Sequence, residues 1–494
     1  MIPVRLPAAS ATLLAILLAA APASAVELES CTLSGSTGVA AIEARCGWLS
    51  RPEDPAEPNG AAINLRLAVI PALSPTARPD ALTVINGGPG GSSVDMYADM
   101  VATFAAIRRE RDILILDQRG TGASNPLDCE RLEQADLDES EASIRAATEA
   151  CLAELPGDPR FYTTSIAVQD LEAARQALGY EALNVYGVSY GTRVAQHYAR
   201  RYPALVRTLI IDGVAPPEIP LGPNAALNAE RTLSRLFERC RNDPACSDRF
   251  PDLTMQVENL DQRLGNEPVQ VSVAHPVSGV LTELEVTRNH LLITLRMLSY
   301  APETARLIPL IIDEAASNKN YVPLASNALR VEKELTGAIR FGMHNSVICT
   351  EDVPFFGELD IAALEATYIG PQQAQSLVTI CETWPAGPMD DDLRQPLTVA
   401  VPTLILSGEE DPITPPEYGD MAHAALPNSQ HLVGGGQGHG VIGRGCFPRL
   451  AAEFIDAGSL EGLASDCVDR LAHPSFFLNL MGPVAIADDA EEAP

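Results

Sequence analysis

Positive charge is scarce in this sequence: 34 Lys and Arg stand against 65 Asp and Glu, a formal net charge of -31. The acidic residues are spread along the 494-residue chain rather than gathered in a tail. Such a surface repels phosphate backbones, which argues against nucleic acid as a partner. Metal motifs are missing too. There is no H-E-x-x-H and no paired C-x-x-C, so neither zinc nor another cofactor is expected. Past the first thirty residues no stretch is apolar enough to span a bilayer, and stable membrane association is not expected. No internal repeat is present, which sets aside solenoids and propellers.

The beginning of the chain reads differently. MIPVRLPAASATLLAILLAAAPASAVELES carries one Arg, an apolar run from Leu13 to Ala21, and then Ala23-Ser24-Ala25. That order is a secretory signal peptide over residues 1–25, since the run is short of the roughly 20 residues a membrane-spanning helix needs. An exported protein, periplasmic or secreted, is expected. Ten cysteines fit an oxidising compartment. In order they are Cys31 and Cys46, Cys129 and Cys151, Cys240 and Cys246, Cys349 and Cys381, Cys446 and Cys467. Nearest-neighbour pairing would make five local staples, although spacing alone does not fix the connectivity.

From residue 60 onward short β-branched runs alternate with helical stretches. INLRLAVIPAL, LTVING and DILILDQRG read as strands that end in glycine or turn residues. SIAVQDLEAARQALG reads as a helix, with Val168, Leu171, Ala174 and Leu178 at helical spacing and Gly179 to close it. The strand LNVYGVSYG, the helix TRVAQHYARRYP and the strand VRTLIIDGVAPP follow. This alternation predicts a mostly parallel sheet with helices on both faces.

After Pro216-Pro217 the pattern turns helical, as in NAERTLSRLFERC, RNHLLITLRMLSY and PLASNALRVEKELTGAIRFG, with one strand pair in PVQVSVAHPVSGVLTELEV. Strand character returns with VPTLILSGEEDPITPP and SQHLVGGGQGHG. The expected division is a sheet-bearing core over 26–216 and 396–494, interrupted by a helical lid over 217–395. An independent helical domain is the alternative. The acidic end AIADDAEEAP is expected to be disordered.

Four segments carry chemistry. Gly187-Val188-Ser189-Tyr190-Gly191 is a G-x-S-x-G sequence between an apolar strand and a helix, where a sharp turn lifts a serine hydroxyl above the sheet. A serine needs a base, and the base needs an orienting acid. Asp411 stands in the turn after the strand PTLILSG, and His439 stands in a glycine-rich loop after the last strand. Glu409 and Glu410 are rivals for the acid. His431 and His197 are rivals for the base. The fourth segment, NGGPGGSSVDM, lacks the lysine of a phosphate loop. Its bare backbone at Gly87-Gly88 suits an oxyanion, with the N–H of Tyr190 as the second donor.

Together these pieces resemble the α/β-hydrolase peptidases of the prolyl iminopeptidase group, in particular their larger, secreted tripeptidyl-aminopeptidase-like branch. NGGPGG, DQRGTGAS (117–124) and GVSYG carry the resemblance, extended by SGEEDPITP, the GHG histidine, and Cys446 to Cys467 spanning a helix. The resemblance implies an α/β-hydrolase fold with a large helical lid. It also implies a triad of Ser189, Asp411 and His439, and oxyanion donors at Gly88 and Tyr190. Asp117 and Arg119 would brace nearby loops. One position departs: short prolyl iminopeptidases carry a histidine before GGPG, and here Asn86 stands there, which points away from strict proline specificity. The implied activity is release of residues from the free N-terminus of short peptides. The alternative is an esterase or amidase acting on small molecules with the same triad. A buried substrate ammonium needs a counter-charge. Glu351 in ICTEDVPF falls where the short relatives place such a glutamate, with Asp352 and Glu382 as rivals.

Overall fold

The computed structural model describes residues 26–35, 41–129, 140–276, 278–335 and 337–483. The expected signal peptide and the acidic end lie outside the described residues. Nine strands form one sheet in the order β1-β2-β3-β5-β4-β6-β7-β10-β11. They are β1 (Glu29–Ser34), β2 (Ala41–Pro52), β3 (Ala62–Ile70), β4 (Asp80–Ile85), β5 (Ile113–Leu116), β6 (Ala182–Val188), β7 (Val206–Asp212), β10 (Thr403–Gly408) and β11 (Ser429–Gly434). Pairing is antiparallel from β1 through β3 to β5 and parallel from β5 to β11. A smaller antiparallel pair, β8 (Val269–Ala274) with β9 (Leu281–Val286), lies in the helical stretch.

The central strands β4, β5, β6, β7 and β10 are buried along nearly their whole length because both faces are covered. In β5, Leu114 and Leu116 join one core while Ile113 and Ile115 join the other. In β7, Leu209 and Ile211 face opposite to Ile210. The helices Thr164–Leu178 and Tyr190–Arg201 cover the first face. Ser93–Asp99 and Phe447–Ala457 cover the second. Val168, Leu171 and Ala174 are buried as their spacing requires, and Gly179, at φ 76°, closes that helix.

Sequence order along the sheet reverses beside β4, whose neighbours are β5 on one side and β6 on the other. At such a switch point the loops leaving adjacent strands diverge and open a crevice. Ile85 is in register with Gly187, and both Val188 and Leu406 are in register with Asp212. The segments NGGPGG, GVSYG, DGV, GEED and GGGQGHG therefore all emerge at one edge of the sheet.

The helical stretch between β7 and β10 has a core of its own, in which Leu233, Leu260, Leu291, Leu295, Ile312 and Leu324 are buried together. Two details differ from expectation. PLASNALRVEKELTGAIRFG is not one helix. The helix Val322–Leu335 stops, Gly337 adopts φ 71°, and Ile339 pairs as an antiparallel bridge with Gly91 before a new helix starts at Phe341. In addition, Phe476, beyond the last core helix, returns to the helical cluster beneath the Arg239 guanidinium, 4.1 Å from the ring centroid. All ten cysteines pair with their nearest neighbours in sequence.

Asp117 and Arg119 brace the loops beside the sheet edge. Asp117 accepts from Ser92 Oγ at 2.9 Å and from the Val94 N–H at 3.0 Å. Arg119 donates to both oxygens of Asp170 at 2.7 and 2.9 Å and also to the Phe161 carbonyl at 2.8 Å. Removing one member of a wholly buried pair strands the other's charge. Asp170→Ala is expected to destabilise the fold by about 3–5 kcal/mol, read as a drop in the urea midpoint at unchanged slope.

Candidate active site

Ser189 follows β6 directly and holds φ 56° and ψ −130°, a conformation rare outside glycine. The flanking glycines make the turn possible. A Cβ on Gly187 would strike the Gly191 carbonyl oxygen, and one on Gly191 would strike the carbonyls of Ile85 and Asn86. The Ser189 N–H donates to the Asp212 carbonyl at 3.0 Å, which pins the elbow to the end of β7.

The loop after β4 packs against this serine. A Cβ on Gly87 would lie 2.7 Å from Ser189 Cβ and 3.2 Å from its Oγ, so a side chain there would displace the hydroxyl. Asn86 holds the loop from within. Its Oδ1 accepts from the Gly87 N–H at 2.7 Å, and its Nδ2 donates to the Ser92 carbonyl at 2.9 Å. The Gly87 N–H is thereby occupied, which leaves the next one, Gly88, as the loop's candidate donor. Tyr190 opens its helix, where a backbone N–H has no intrahelical acceptor.

Asp411 and His439 meet. Their hydrogen bond runs between His439 Nδ1 and Asp411 Oδ2 at 2.7 Å. A carboxylate on Nδ1 places the proton there and leaves Nε2 as the basic nitrogen. Thr414 secures the pair: its hydroxyl donates to Asp411 Oδ2 at 2.9 Å and lies 3.1 Å from His439 Nδ1. The N–H groups of Ile413 and Thr414 donate to Asp411 Oδ1, each at 2.9 Å. Asp411 is wholly buried. Burial opposes a charge on His439, but Asp411 and then Asp212 outweigh it and hold the imidazole above its ordinary pKa of 6.5.

A base must be neutral to accept a proton. The acid limb of kcat/KM is therefore expected to fall away below a pKa higher than 6.5. Asp411→Asn removes the charge but not the burial, so the limb should move to lower pH. A limb unmoved by that substitution would exclude His439 as the titrating group.

The rivals have other partners. Glu409 accepts from the Gly436 N–H, Glu410 lies 3.5 Å from Arg235, and His431 sits between Asp420 and Ser407, each at 2.9 Å. His197 Nε2 is 2.8 Å from Asp390. Asp352 is ion-paired with buried Arg193 at 2.9 Å, and Glu382 is paired with Arg145 at the surface.

Glu351 has a different setting from the one its sequence position suggests. It is 0% exposed. Its Oε1 accepts the Thr164 N–H at 2.7 Å and its Oε2 accepts the Thr164 hydroxyl at 2.8 Å. Burial pushes its pKa up to about 7, against the lowering influence of Arg193 and of Thr164.

Several contributors are not singled out by the sequence. Asp212, at the end of β7, accepts from the Val441 and Ile442 N–H groups at 2.8–2.9 Å and from the Tyr186 hydroxyl at 3.1 Å. It thus carries the loop that follows His439. Tyr300, from the helical stretch, accepts the His439 N–H on its carbonyl at 2.8 Å and sets its ring edge-on to the imidazole. An acid at the carboxyl end of an apolar strand was a readable signal for Asp212. Nothing local marks Tyr300 or Thr164.

A nine-stranded, largely parallel sheet with helices on both faces, and with the candidate serine, acid and histidine loops at one edge, defines the α/β-hydrolase fold. Comparison with known proteins agrees. A family model for the alpha/beta hydrolase fold matches residues 80–283, and one described as TAP-like protein matches residues 366–467. The chain has the α/β-hydrolase fold, and over residues 366–467 it is similar to the TAP-like proteins.

Among curated relatives, the putative hydrolase YuaR of Escherichia coli is 30% identical over 257 residues, covering 48% of this chain and 51% of that one. The serine protease Hip1 of Mycobacterium tuberculosis is 25% identical over 470 residues, 86% of this chain and 87% of that one. The tripeptidyl aminopeptidase of Streptomyces lividans is 31% identical over 191 residues, 35% of this chain and 36% of that one. The match thus spans 51% of YuaR and 36% of the Streptomyces enzyme.

Proposed function

We propose that this protein is a serine peptidase that releases residues from the free N-terminus of short peptides through an acyl-enzyme on Ser189. The observation that carries the reading is the Asp411–His439 hydrogen bond on Nδ1, at the same sheet edge as a serine held at φ 56° against a glycine loop. Ser189 Oγ attacks the peptide carbonyl while His439 Nε2 takes its proton. The N–H groups of Gly88 and Tyr190 receive the oxyanion. His439 then protonates the departing amine, and a water activated by the same nitrogen hydrolyses the ester.

The helical segment 217–395 acts as the lid in this reading. Its Ile339 bridges Gly91, His344 Nδ1 donates to the Pro89 carbonyl at 3.3 Å, and Tyr300 flanks His439. The tripeptidyl aminopeptidase and Hip1 relatives support a peptide substrate. Five disulfides fit an exported location. No helix among the described residues is long and apolar enough to cross a membrane.

Two chromogenic peptides, identical except that one is N-acetylated, test the substrate class. Cleavage of the free peptide alone, absent in Ser189→Ala, is the expected result. Turnover of both, or of simple esters alone, would replace the exopeptidase with an amidase or esterase.

A further inference from the structure

A single helix, Phe341–Glu351, reaches both halves of the candidate oxyanion hole, the glycine loop directly and Tyr190 through Thr164. At its beginning, the Arg340 N–H donates to the Gly90 carbonyl at 3.1 Å and His344 holds the Pro89 carbonyl. The approach is backbone against backbone, since a Cβ on Gly90 would fall 2.8 Å from the Arg340 oxygen. At its end, eleven residues and about 16 Å on, Glu351 accepts both Thr164 donors, and Thr164 Oγ1 lies 2.7 Å from the Tyr190 hydroxyl. A threonine hydroxyl has one hydrogen. Thr164 gives it to Glu351, so Tyr190 donates to Thr164. A chain of hydrogen bonds thus runs from the lid carboxylate to the residue whose backbone N–H follows the nucleophile.

The same surroundings make Glu351 a poor receptor for a substrate ammonium. It is fully enclosed and both oxygens are engaged. Arg193 already supplies positive charge there, paired with the adjacent Asp352. Arg193 lies on the helix that Tyr190 opens, so residues 351 and 352 grip that helix together.

We infer that Glu351 is a positioning residue, which acts through Thr164 and the Tyr190 hydroxyl to fix the Tyr190 N–H relative to Ser189. Seating of the lid helix and completion of the oxyanion hole are then one event. The inference rests on the assignment of Gly88 and Tyr190 as donors.

The test compares Glu351→Gln, Thr164→Val and Tyr190→Phe on three substrates: p-nitrophenyl acetate, a free peptide and its acetylated twin. Active sites are counted by fluorophosphonate labelling, so that kcat is read per competent serine. Each variant is expected to lose kcat roughly 10- to 100-fold on every substrate that the parent turns over, with KM nearly unchanged. Affinity for a peptide boronate, which mimics the tetrahedral state, should fall by a similar factor. Glu351→Gln with Thr164→Val should be no worse than the poorer single variant, because both interrupt one chain. A merely structural role would lower the melting temperature and leave kcat per labelled site intact, which overturns the inference. It is overturned equally if Glu351→Gln raises KM for the free peptide alone and leaves ester turnover untouched. A parent protein that labels with fluorophosphonate but processes only esters would end the exopeptidase reading and leave this one standing. A parent that neither labels nor turns over any substrate removes the donor assignment beneath it, and the inference falls.

Discussion

Ser189→Ala is expected to abolish turnover of peptides and esters alike, and Asp411→Asn to lower kcat by roughly ten-thousand-fold with KM little affected. The two losses have different origins. Alanine removes the atom that forms the acyl bond. Asparagine keeps the shape of the acid but can turn an N–H toward His439 Nδ1, which favours the tautomer whose basic nitrogen faces the wrong way. The structure sharpens the second expectation. Asp411 accepts three other donors, from Ile413 N, Thr414 N and Thr414 Oγ1, and an amide can satisfy only some of them. Steady-state rates beside intact-mass detection of the acyl-enzyme check both. A fully active Ser189→Ala protein would remove the basis for calling this edge of the sheet an active site.

The second large effect concerns a residue without a side chain. Gly191→Ala would drive its Cβ against the Ile85 carbonyl and to 2.6 Å from the Asn86 oxygen. Neither acceptor can step aside, because both are backbone at the point where β4 becomes the glycine loop. Overpacking usually costs about 1–3 kcal/mol. Here the displaced segments are the serine elbow and the candidate oxyanion loop together, so fluorophosphonate labelling should fall by two orders of magnitude or the protein should fail to accumulate. Gly265→Ala is the control. Its Cβ would meet nothing nearer than Arg288 Cδ at 3.6 Å, on a helix, and a gain of up to about 1 kcal/mol is expected. Equal behaviour of the two variants would show that the contact at Gly191 relaxes freely.

The strands from β3 to β11 that lie buried on both faces were legible as apolar β-branched runs, and so were the small hairpin and the elbow. The strands β1 and β2 escaped, although AIEARCGWLSRP alternates inward and outward almost without fault. That alternation marks a sheet edge with one wet face, a weaker signal than a continuous apolar run. The helix Glu141–Glu154 is also absent from the sequence reading. It buries only Ile144, Thr148 and Cys151, too narrow an apolar stripe to announce itself. At the candidate site, the acid and base stood out because turn chemistry and order along the chain mark them. The partners of Glu351 did not. Thr164 and Glu351 are 187 residues apart, and only the packing of one helix on another joins them.

The five disulfides close loops of 15, 22, 6, 32 and 21 residues. Each cysteine finds its mate before the next pair begins, and no bridge spans the two sheet-bearing segments. An oxidant acting on the chain as it emerges, joining every new thiol to the one just before it, would therefore write the native pattern without correction. Nothing later in synthesis has to wait for, or undo, anything earlier. Four of the five bridges, the last of them Cys349–Cys381, can be closed while the sheet itself, whose β7 must await β10 from almost two hundred residues downstream, is still unfinished.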